Sequence, residues 1–568
     1  MSKLLIVCKR DDKDFKSEKI KEICDSLNPD NINPNLTEVL NLKQTKLGIS
    51  NPLSNLKLSE NGIVLGKLFG EEKNWDQING SHPDGNYVIV RWNHSNLELL
   101  SDILGTRALW YYFDEQHFIA STSQKAIVQY LGDFQFNESV IPWVLCNGLL
   151  GPGHSWDKRF KLLDLNAILN LDKELWKITI HKEDIHFKPN QLSDSENINQ
   201  LEKKLKETLK DIEFDYKEWY LTLSGGYDSR GILGYLNRYD SRGNQLKSIT
   251  WGLKDRVKEK GNDAYVANKL AQQEEISHTY FATDSTLGDF EKNFERFLEN
   301  GEGRIDHLGG YMDGFNIWST LFENKISGVI RGDEVFGSYN FISDYHLKKF
   351  MGLTLPSDYT NLKELSYLND FSEKLPKEYE KLPYESEAVW RDRLYQSYLV
   401  PIFLSALTDL KSSYVEQVNP LLSKRLIYFI REMPDHLRTE KKAFKKIVKS
   451  LNFQVPFAKK PAIDSIQNIF REKEVLVLLN KELSSNFAKT IFPDSFLNEM
   501  LLKINKKNKT DSKKSFLTLI KNFVPKKIKK IILKETFNST LDYNLLAFRI
   551  FLICRMVKLL QKSTKDEY

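Results

Sequence analysis

The first third of the chain alternates short apolar runs with polar breaks, which is the pattern of β-strands joined by hairpins and turns. Apolar residues 4–8 predict a first strand, and WKITIHK (176–182) predicts a closing one. Between them, Asn, Asp, Gly and Ser separate four further predicted strands. These are NYVIVRW (86–92), LELLSDI (97–103), ALWYYF (108–113) and HFIAST (117–122). The pattern therefore predicts a β-rich domain over residues 1–190.

A second pattern follows a polar stretch at 188–200 that has the composition of a linker. Apolar residues at helical spacing resume over 201–212, and strands then alternate with helices. The predicted order is WYLTL (219–223), a helix from about residue 230, SITWGL (248–253), a helix over 262–275, HTYFA (278–282) and ISGVI (326–330). Such an order predicts βαβ units and a parallel sheet.

From about residue 360 onward the pattern is mostly helical. The chain is thus expected to comprise a β-rich part (1–190), an α/β part (200–470) and a helical, lysine-rich extension (471–568) packed on the second part. The most apolar stretch, residues 545–560, contains two Arg and one Lys. These charges make a membrane span costly, so a buried helix is expected there.

Composition changes this picture little, but the distribution of charge changes it more. The 568 residues are 41% hydrophobic and 28% charged, with a net charge of +5, which excludes a disordered chain, a collagen and a disulfide scaffold. Between Lys503 and Lys534, however, there are 12 Lys and a single acid, Asp511. This run predicts a solvated helical face. The alternative is a basic surface for a partner or for RNA, although nucleic acid is not an expected partner.

Four cysteines lie far apart, without the spacing of a zinc site or a disulfide framework. A reducing, cytoplasmic location is the simplest interpretation.

The strongest chemical signal follows the strand at 219–223, where the chain continues as SGGYDS and then as a helix. Small residues at the end of a strand allow backbone N–H groups and hydroxyls to surround an anion, and the helix N-terminus adds partial positive charge. No Gly-Lys-Ser/Thr follows, so this is not a Walker A loop. The segment predicts a phosphate-binding loop.

A strand followed by SGGxDS resembles the pyrophosphate loop of the ATP pyrophosphatase family. Three further segments, in the same order, resemble the asparagine synthetases of that family. They are SGVIRGDEVFGSY (327–339), VEQVNPLLSKRLIYFIREMP (415–434) and LNFQVPFAKKP (451–461). The resemblance implies an α/β ATP pyrophosphatase domain with a parallel sheet and a helical C-terminal part.

The N-terminal part resembles the glutaminase-type domain of the same synthetases, an α+β sandwich of the Ntn type. The segments that carry this resemblance are DGNYVIVRW (84–92) and SDILGTRALWYYFDEQHFIASTSQKAI (101–127), which contains an Asp-x-x-Gly-x-Arg turn. Family members that use glutamine need Cys as residue 2, whereas this chain has Ser2, and Cys8 lies within a predicted strand. The Asn-Gly-Glu segment that binds glutamine is also unrecognisable. We therefore expect no glutaminase activity.

The resemblance implies a role for individual residues toward the cofactors ATP and Mg²⁺. Ser224, Gly225, Gly226 and Ser229 are the expected pyrophosphate-binding residues. Asp228 and Asp333 are the expected metal ligands, and Asp333 with Glu334 forms the catalytic acidic pair. Lys460 matches the family's reactive-site lysine, with Lys459 as the alternative after a one-residue shift. Leu223, Trp251 and Gly252 are expected to border adenine and ribose.

One departure from the family changes the expected second half-reaction. Aligning the acidic pair places Ile330 where a glutamate usually handles the amine, and isoleucine cannot accept a proton. The resemblance therefore favours a specialised ligase, similar to the relatives that close β-lactams or lasso-peptide rings. It would adenylate a carboxylate and join it to an amine, releasing AMP and pyrophosphate.

The expected partners are the carboxylate and amine substrates, with a precursor peptide or a partner protein left open. The alternatives are ammonia-dependent asparagine synthesis, an inactive protein that only binds nucleotide or a partner, and modification of a nucleic acid.

Overall fold

The structure, a computed structural model, describes residues 2–11, 16–53, 56–240, 245–284, 289–363, 365, 367–368, 371, 374–463, 466–504 and 540–564. The lysine-rich run from residue 505 to Lys534 therefore lies outside the described residues, and the expectations for it stay predictions.

The N-terminal part is built from two six-stranded antiparallel sheets. Its strands are β1 (Lys3–Lys9), β2 (Glu38–Leu42), β3 (Thr45–Ser50), β4 (Lys57–Leu58), β5 (Gly62–Leu68), β6 (Gly85–Trp92), β7 (Asn96–Ser101), β8 (Trp110–Phe113), β9 (His117–Ser121), β10 (Lys161–Leu162), β11 (Ala167–Asp172) and β12 (Lys177–Lys182). The sheet orders are β10-β8-β9-β1-β3-β2 and β12-β11-β7-β6-β5-β4. Helices α1 (Ser17–Asp25), α2 (Gln124–Leu131) and α3 (Val140–Asn147) accompany them.

The side chains of β1 alternate between two hydrophobic cores, one on each side of its sheet. Leu4, Ile6 and Cys8 pack between the two sheets, in one core with apolar residues of β3, β5 and β6. Leu5 and Val7 point the other way, into a core shared with α1 and α2. Both faces of β1 are therefore buried, which explains why its apolar run is continuous rather than alternating. The predicted β-rich region is confirmed.

The second part contains a five-stranded, wholly parallel sheet in the order β15-β14-β13-β16-β17. Its strands are β13 (Trp219–Thr222), β14 (Lys247–Gly252), β15 (Ser277–Ala282), β16 (Gly328–Ile330) and β17 (Glu416–Val418). The chain proceeds outward from β13 to β15 and then returns to the other side of β13 as β16. The order thus reverses between β13 and β16, the position at which open parallel sheets form a crevice at their carboxyl ends.

The second part also contains α4 (Asp194–Asp211), α5 (Tyr227–Tyr239), α6 (Asp263–Gln273), α7 (Phe290–Gly301), α8 (Asn316–Glu323), α9 (Asp344–Met351), α10 (Glu387–Leu394), a π-helix (Tyr395–Leu404), α11 (Ser405–Ser412), α12 (Lys424–Glu432), α13 (Asp435–Arg438), α14 (Lys442–Ser450), α15 (Ile466–Ile469), α16 (Lys473–Leu483), α17 (Asn486–Ile491), α18 (Asp494–Ile504) and α19 (Tyr543–Lys562). Some of these helices share hydrophobic cores with the sheet. Leu221 and Val418 share one core with α4, α5, α12 and α14, whereas Ile249 and Val329 share another with α7, α8, α11 and α19.

The final helix, α19, is the buried helix that the sequence predicts over 545–560. Arg549 donates to Asp306 Oδ2 and to the carbonyl of Leu145, both at 2.8 Å. Arg555 donates to Glu482 at 2.7 Å. Both arginines of the stretch are thus paired with acids of the protein, whereas Lys558 is exposed. Among the helices that the structure describes, none combines the length and the apolar character needed to cross a membrane.

Two predicted helix starts are wrong, and one short strand was not predicted. Helix α4 begins at Asp194, inside the predicted linker, because Ser193 and Glu196 form a capping box. Helix α5 begins at Tyr227 rather than near residue 230, so the helix starts within the SGGYDS segment itself. Strand β17 falls in a region predicted to be mostly helical. The division into parts at 1–190, 200–470 and 471–568 stays a prediction.

Candidate active site

The SGGYDS segment forms a tight loop between β13 and α5, held by its own hydroxyls. The Ser224 and Ser229 hydroxyl oxygens lie 3.0 Å apart, and the Ser229 Oγ also accepts from the Ser224 backbone N–H at 3.0 Å. Gly226 N–H donates to Ser224 Oγ at 3.3 Å, and Gly225 N–H donates to Asp263 Oδ1 at 3.1 Å. The four predicted pyrophosphate-binding residues therefore lie together, three in the loop after β13 and Ser229 in the first turn of α5.

The loop that follows β16 packs directly against this segment. A Cβ atom at Gly332 would lie 2.9 Å from the Ser229 backbone nitrogen, so only glycine allows the two loops to approach this closely. Asp333 N–H is 3.4 Å from Asn419 Oδ1, and the Asp333 carboxylate pairs with Arg331 at 3.2 Å. The acidic pair thus lies at the carboxyl end of β16, next to the start of α5.

A lysine that the sequence interpretation missed joins the two loops. Lys441 Nζ lies 2.9 Å from Asp228 Oδ2 and 2.6 Å from Glu334 Oε1. Glu334 accepts a further hydrogen bond from the Phe336 backbone N–H. Lys441 therefore neutralises a carboxylate on each side of the crevice.

Backbone strain accompanies this lysine. Glu440 (φ 59°, ψ 22°) and Lys441 (φ 56°, ψ 35°) both adopt left-handed conformations just before α14. Such conformations cost roughly 1–3 kcal/mol for residues other than glycine, and they are found most often at functional sites. The strain is maintained by surrounding contacts, including a 2.8 Å hydrogen bond from the Glu440 N–H to the Ser338 carbonyl.

Burial and neighbouring charges shift the pKa values of Asp228, Glu334 and Lys441. Burial raises the pKa of Glu334 to about 7, with a further increase from Asp228 and an opposing effect of Lys441. Burial also raises the pKa of Asp228; Lys441 opposes that shift, and the charge of Asp333 adds to it. For Lys441, burial alone would lower the pKa, but the two carboxylates outweigh it and the pKa is raised.

The residues expected to border adenine and ribose lie directly after β13, in the case of Leu223, and at the end of β14, in the case of Trp251 and Gly252. Leu223 is buried, and its N–H donates to the carbonyl of Ile249 at 2.9 Å. The Trp251 ring meets Trp318 edge-on, with ring centroids 5.4 Å apart. A Cβ atom at Gly252 would lie 2.5 Å from the Ala462 carbonyl oxygen, so the later segment closes this side of the crevice.

Lys460, expected to be the reactive-site lysine, has a different environment. Its side chain is 61% exposed and pairs with Glu259, although its backbone carbonyl accepts from Asp263 N–H at 2.9 Å. The structure brings Lys441, rather than Lys460, into contact with Asp228 and Glu334. A catalytic role for Lys460 stays a prediction. Ile330, at the position of the family glutamate, is wholly buried in the core beneath the acidic pair.

Asp228 and Asp333 can supply part of the coordination of a magnesium ion, and other ligands must supply the rest. Among the residues described, no group of three or more His, Cys, Asp or Glu side chains is arranged to hold a metal ion. Mg²⁺ is usually bound by one or two carboxylates together with phosphate oxygens and water. Asp333 lies close enough to Asp228 for its charge to raise the pKa of Asp228. The two carboxylates therefore fit such an ion when a nucleotide supplies the remaining ligands.

Two adjacent glycines of the loop make a matched test of its geometry. A Cβ atom at Gly225 would lie 2.3 Å from Ala458 Cβ and 3.0 Å from Val266 Cβ, whereas at Gly226 its nearest neighbour is Ser224 Oγ at 3.4 Å. We expect Gly225→Ala to lower the free energy of unfolding by about 1–3 kcal/mol, because the 455–462 segment must shift. Gly226→Ala should change it by less than about 0.5 kcal/mol. Urea unfolding measures both, and equal effects would contradict the packing described.

A scan against protein-family models and a search of curated proteins each found no match for this chain.

Proposed function

We propose that the chain is an asparagine synthetase-like ligase, with an ATP pyrophosphatase domain after an Ntn-type domain that has no glutaminase activity. In the first step a carboxylate oxygen attacks the α-phosphorus of ATP, and the bond to the β-phosphate oxygen breaks. This gives an acyl adenylate and pyrophosphate. In the second step an amine attacks the acyl carbon, AMP leaves, and the amine loses a proton, forming the amide.

The observation that carries this proposal is the location of the SGGYDS loop at the point where the sheet order reverses. The loop follows β13, and the acidic pair follows β16, the strand on the other side of that reversal. Ligands of open α/β sheets bind at such a point, and phosphates bind at the N-terminus of the following helix. The loop, the acidic pair and Lys441 therefore surround one crevice suited to a triphosphate.

Each residue has a distinct part in the proposed chemistry. Ser224, Gly225, Gly226 and Ser229 would hold the departing pyrophosphate by exchanging the hydrogen bonds that they make within the protein for bonds to its oxygens. Asp228 and Asp333 would hold Mg²⁺, which supplies positive charge to the phosphate oxygens when bound. Lys441 would stabilise negative charge that develops on the α-phosphate or on the acyl oxygen, when such an oxygen replaces one of the carboxylate oxygens that it contacts.

The N-terminal part supports the absence of glutaminase activity. Ser2 is 4% exposed; its hydroxyl donates to the carbonyl of Asn51 at 3.0 Å and accepts from Leu53 N–H at 3.1 Å. Both hydrogen bonds of this hydroxyl are made to backbone groups, which supports a structural role for Ser2. We propose that this domain serves as a scaffold for the synthetase domain.

Pyrophosphate exchange tests the proposed reaction. With Mg-ATP and a panel of carboxylic acids, labelled pyrophosphate should enter ATP only when an acid that the enzyme accepts is present. Asp228→Asn should lower the exchange rate by at least about 100-fold, because it weakens metal binding and charge balance in the crevice. Asp255→Asn, an exposed acid beyond β14, is the matched control and should leave the rate unchanged. Exchange that persists in Asp228→Asn would refute the assignment.

A further inference from the structure

Arg230, in α5, lies buried against the loop that is proposed to bind phosphate. It is 1% exposed, and its guanidinium donates to the carbonyls of Val455 at 2.7 Å, Pro456 at 3.1 Å and Gly225 at 3.5 Å. The ring centroid of Phe457 lies 3.9 Å from the guanidinium carbon. Arg230 therefore joins the loop after β13 to the segment that follows α14.

No acid balances the charge of Arg230 in the described part of the chain. Its hydrogen-bond partners there are backbone carbonyls, and its Nε, also buried, has no hydrogen-bond partner. Arg91 and Arg107, which are also buried, each pair with a glutamate. A buried cation without a counter-charge is costly, because the protein interior screens charge poorly. Next to a candidate phosphate site, such a cation indicates that the bound anion supplies the missing charge.

The contact with Gly225 connects this charge to the phosphate loop. The Gly225 carbonyl accepts from Arg230 and, at 3.1 Å, from the Ala458 N–H. In a trans peptide the C=O and the following N–H point in opposite directions, so the Gly226 N–H points away from Arg230. This N–H donates to Ser224 Oγ at 3.3 Å, on the side of the loop where phosphate is expected. Arg230 thus fixes and polarises the peptide unit that carries a predicted phosphate donor.

We propose that Arg230 is a positioning residue for the phosphates of the nucleotide. It holds the Gly225–Gly226 peptide with its N–H toward the phosphates and places a buried positive charge on the opposite side of that peptide. The inference rests on the proposed function for the identity of the ligand, but it concerns binding rather than the reaction. A phosphate at the loop would offset the charge of Arg230 through the peptide, without touching the guanidinium.

Arg238, about two turns further along α5, offers a matched control. Its guanidinium lies 4.4 Å from the Phe453 ring centroid and donates to the carbonyl of Leu451, so it also packs on the segment that follows α14. Unlike Arg230, it pairs with Glu274 at 2.6 Å. Substitution of Arg238 therefore removes a similar packing contact without removing an unbalanced buried charge.

Calorimetry of the full-length protein with magnesium pyrophosphate tests the inference. We expect Arg230→Met to raise the dissociation constant at least about tenfold, and Arg230→Lys, which keeps the charge, to stay within about threefold of the unmodified protein. Arg238→Met should stay within about twofold. If thermal unfolding shows that Arg230→Met does not fold, Arg230→Gln takes its place with the same expectation, because glutamine keeps a donor for the carbonyls but not the charge.

An unchanged constant in Arg230→Met, an equal loss in Arg230→Lys or in Arg238→Met, or no binding of pyrophosphate to the unmodified protein would overturn the inference. A failure of the proposed function has a different signature. If pyrophosphate binding depends on the Arg230 charge but no acid supports pyrophosphate exchange, the role of Arg230 stands and the ligase assignment falls. If exchange and pyrophosphate binding are both normal in Arg230→Met, the ligase assignment stands and the role of Arg230 falls.

Discussion

Lys441→Met is expected to lower the rate of acid-dependent pyrophosphate exchange by about 1,000-fold. The substitution removes the positive charge shared by Asp228 and Glu334, two carboxylates on opposite loops of the crevice. A donor directed at charge that develops during a reaction is commonly worth two to three orders of magnitude in rate. Initial exchange rates at saturating Mg-ATP measure the effect.

Two controls separate chemistry from folding. Lys442→Met, at the exposed neighbouring position, should leave the rate within about twofold of the unmodified protein. Lys441→Arg keeps the charge and should retain the fold, as measured by thermal unfolding, while losing part of the rate through its altered geometry. If Lys460→Met rather than Lys441→Met abolishes exchange, the exposed lysine is the reactive one and the assignment of Lys441 is wrong.

Arg107→Met is expected to destabilise the protein by about 3–5 kcal/mol, because it leaves a buried carboxylate without its partner. Arg107 lies at the end of the Asp-x-x-Gly-x-Arg turn and pairs with Glu416 of β17, with both side chains almost fully buried. Its Nε also donates to the carbonyl of Asn86 at 3.3 Å. This pair joins the antiparallel sheets to the edge strand of the parallel sheet.

Urea unfolding of Arg107→Met measures this cost. The double substitution Arg107→Met with Glu416→Leu removes both charges and should recover much of the lost stability, since apolar replacement of a whole buried pair is often neutral or favourable. The single variant Glu416→Leu is measured as well. If the double variant loses as much stability as the two single variants added together, the ion pair is not the source of the effect.

A second contact, next to the Arg107–Glu416 pair, connects the N-terminal sheets with the site. The Asn419 N–H donates to Asn86 Oδ1 at 2.7 Å, and Asn419 Oδ1 accepts from the Asp333 N–H at 3.4 Å. The N-terminal sheets therefore support the loop that carries the acidic pair. The antiparallel sheets thus have a structural part in the site, because Asn86 and Arg107 help to position β17 and the loop after it.

Local patterns in the sequence predict well the strands around the site. The alternating runs of the first part and the strand before SGGYDS depend on short-range patterning, and the structure contains the predicted strands. The start of α4 was also predictable, since Ser193 and Glu196 have the spacing of a capping box. The polar composition of 188–200 instead favoured a linker. Strand β17 is three residues long, too short for a periodic pattern to develop.

Lys441 could not be predicted in the same way. It is one of two consecutive lysines in TEKKAF, and it meets Asp228 and Glu334 only because strands and helices far apart in sequence converge at one sheet edge. The left-handed backbone that directs it there is likewise a product of tertiary contacts. A motif match favours Lys460. Such a match identifies the segment but not the direction in which the lysine side chain points.

The identity of the nucleotide product tests the central claim most directly. The protein is incubated with Mg-ATP, a panel of aromatic, aliphatic and amino acids, and hydroxylamine as a general amine, and phosphorus NMR identifies the products. We predict AMP and pyrophosphate in equal amounts, with a hydroxamate formed from the accepted acid, and neither product in Asp228→Asn. The appearance of ADP and inorganic phosphate instead would contradict attack at the α-phosphorus and with it the proposed function.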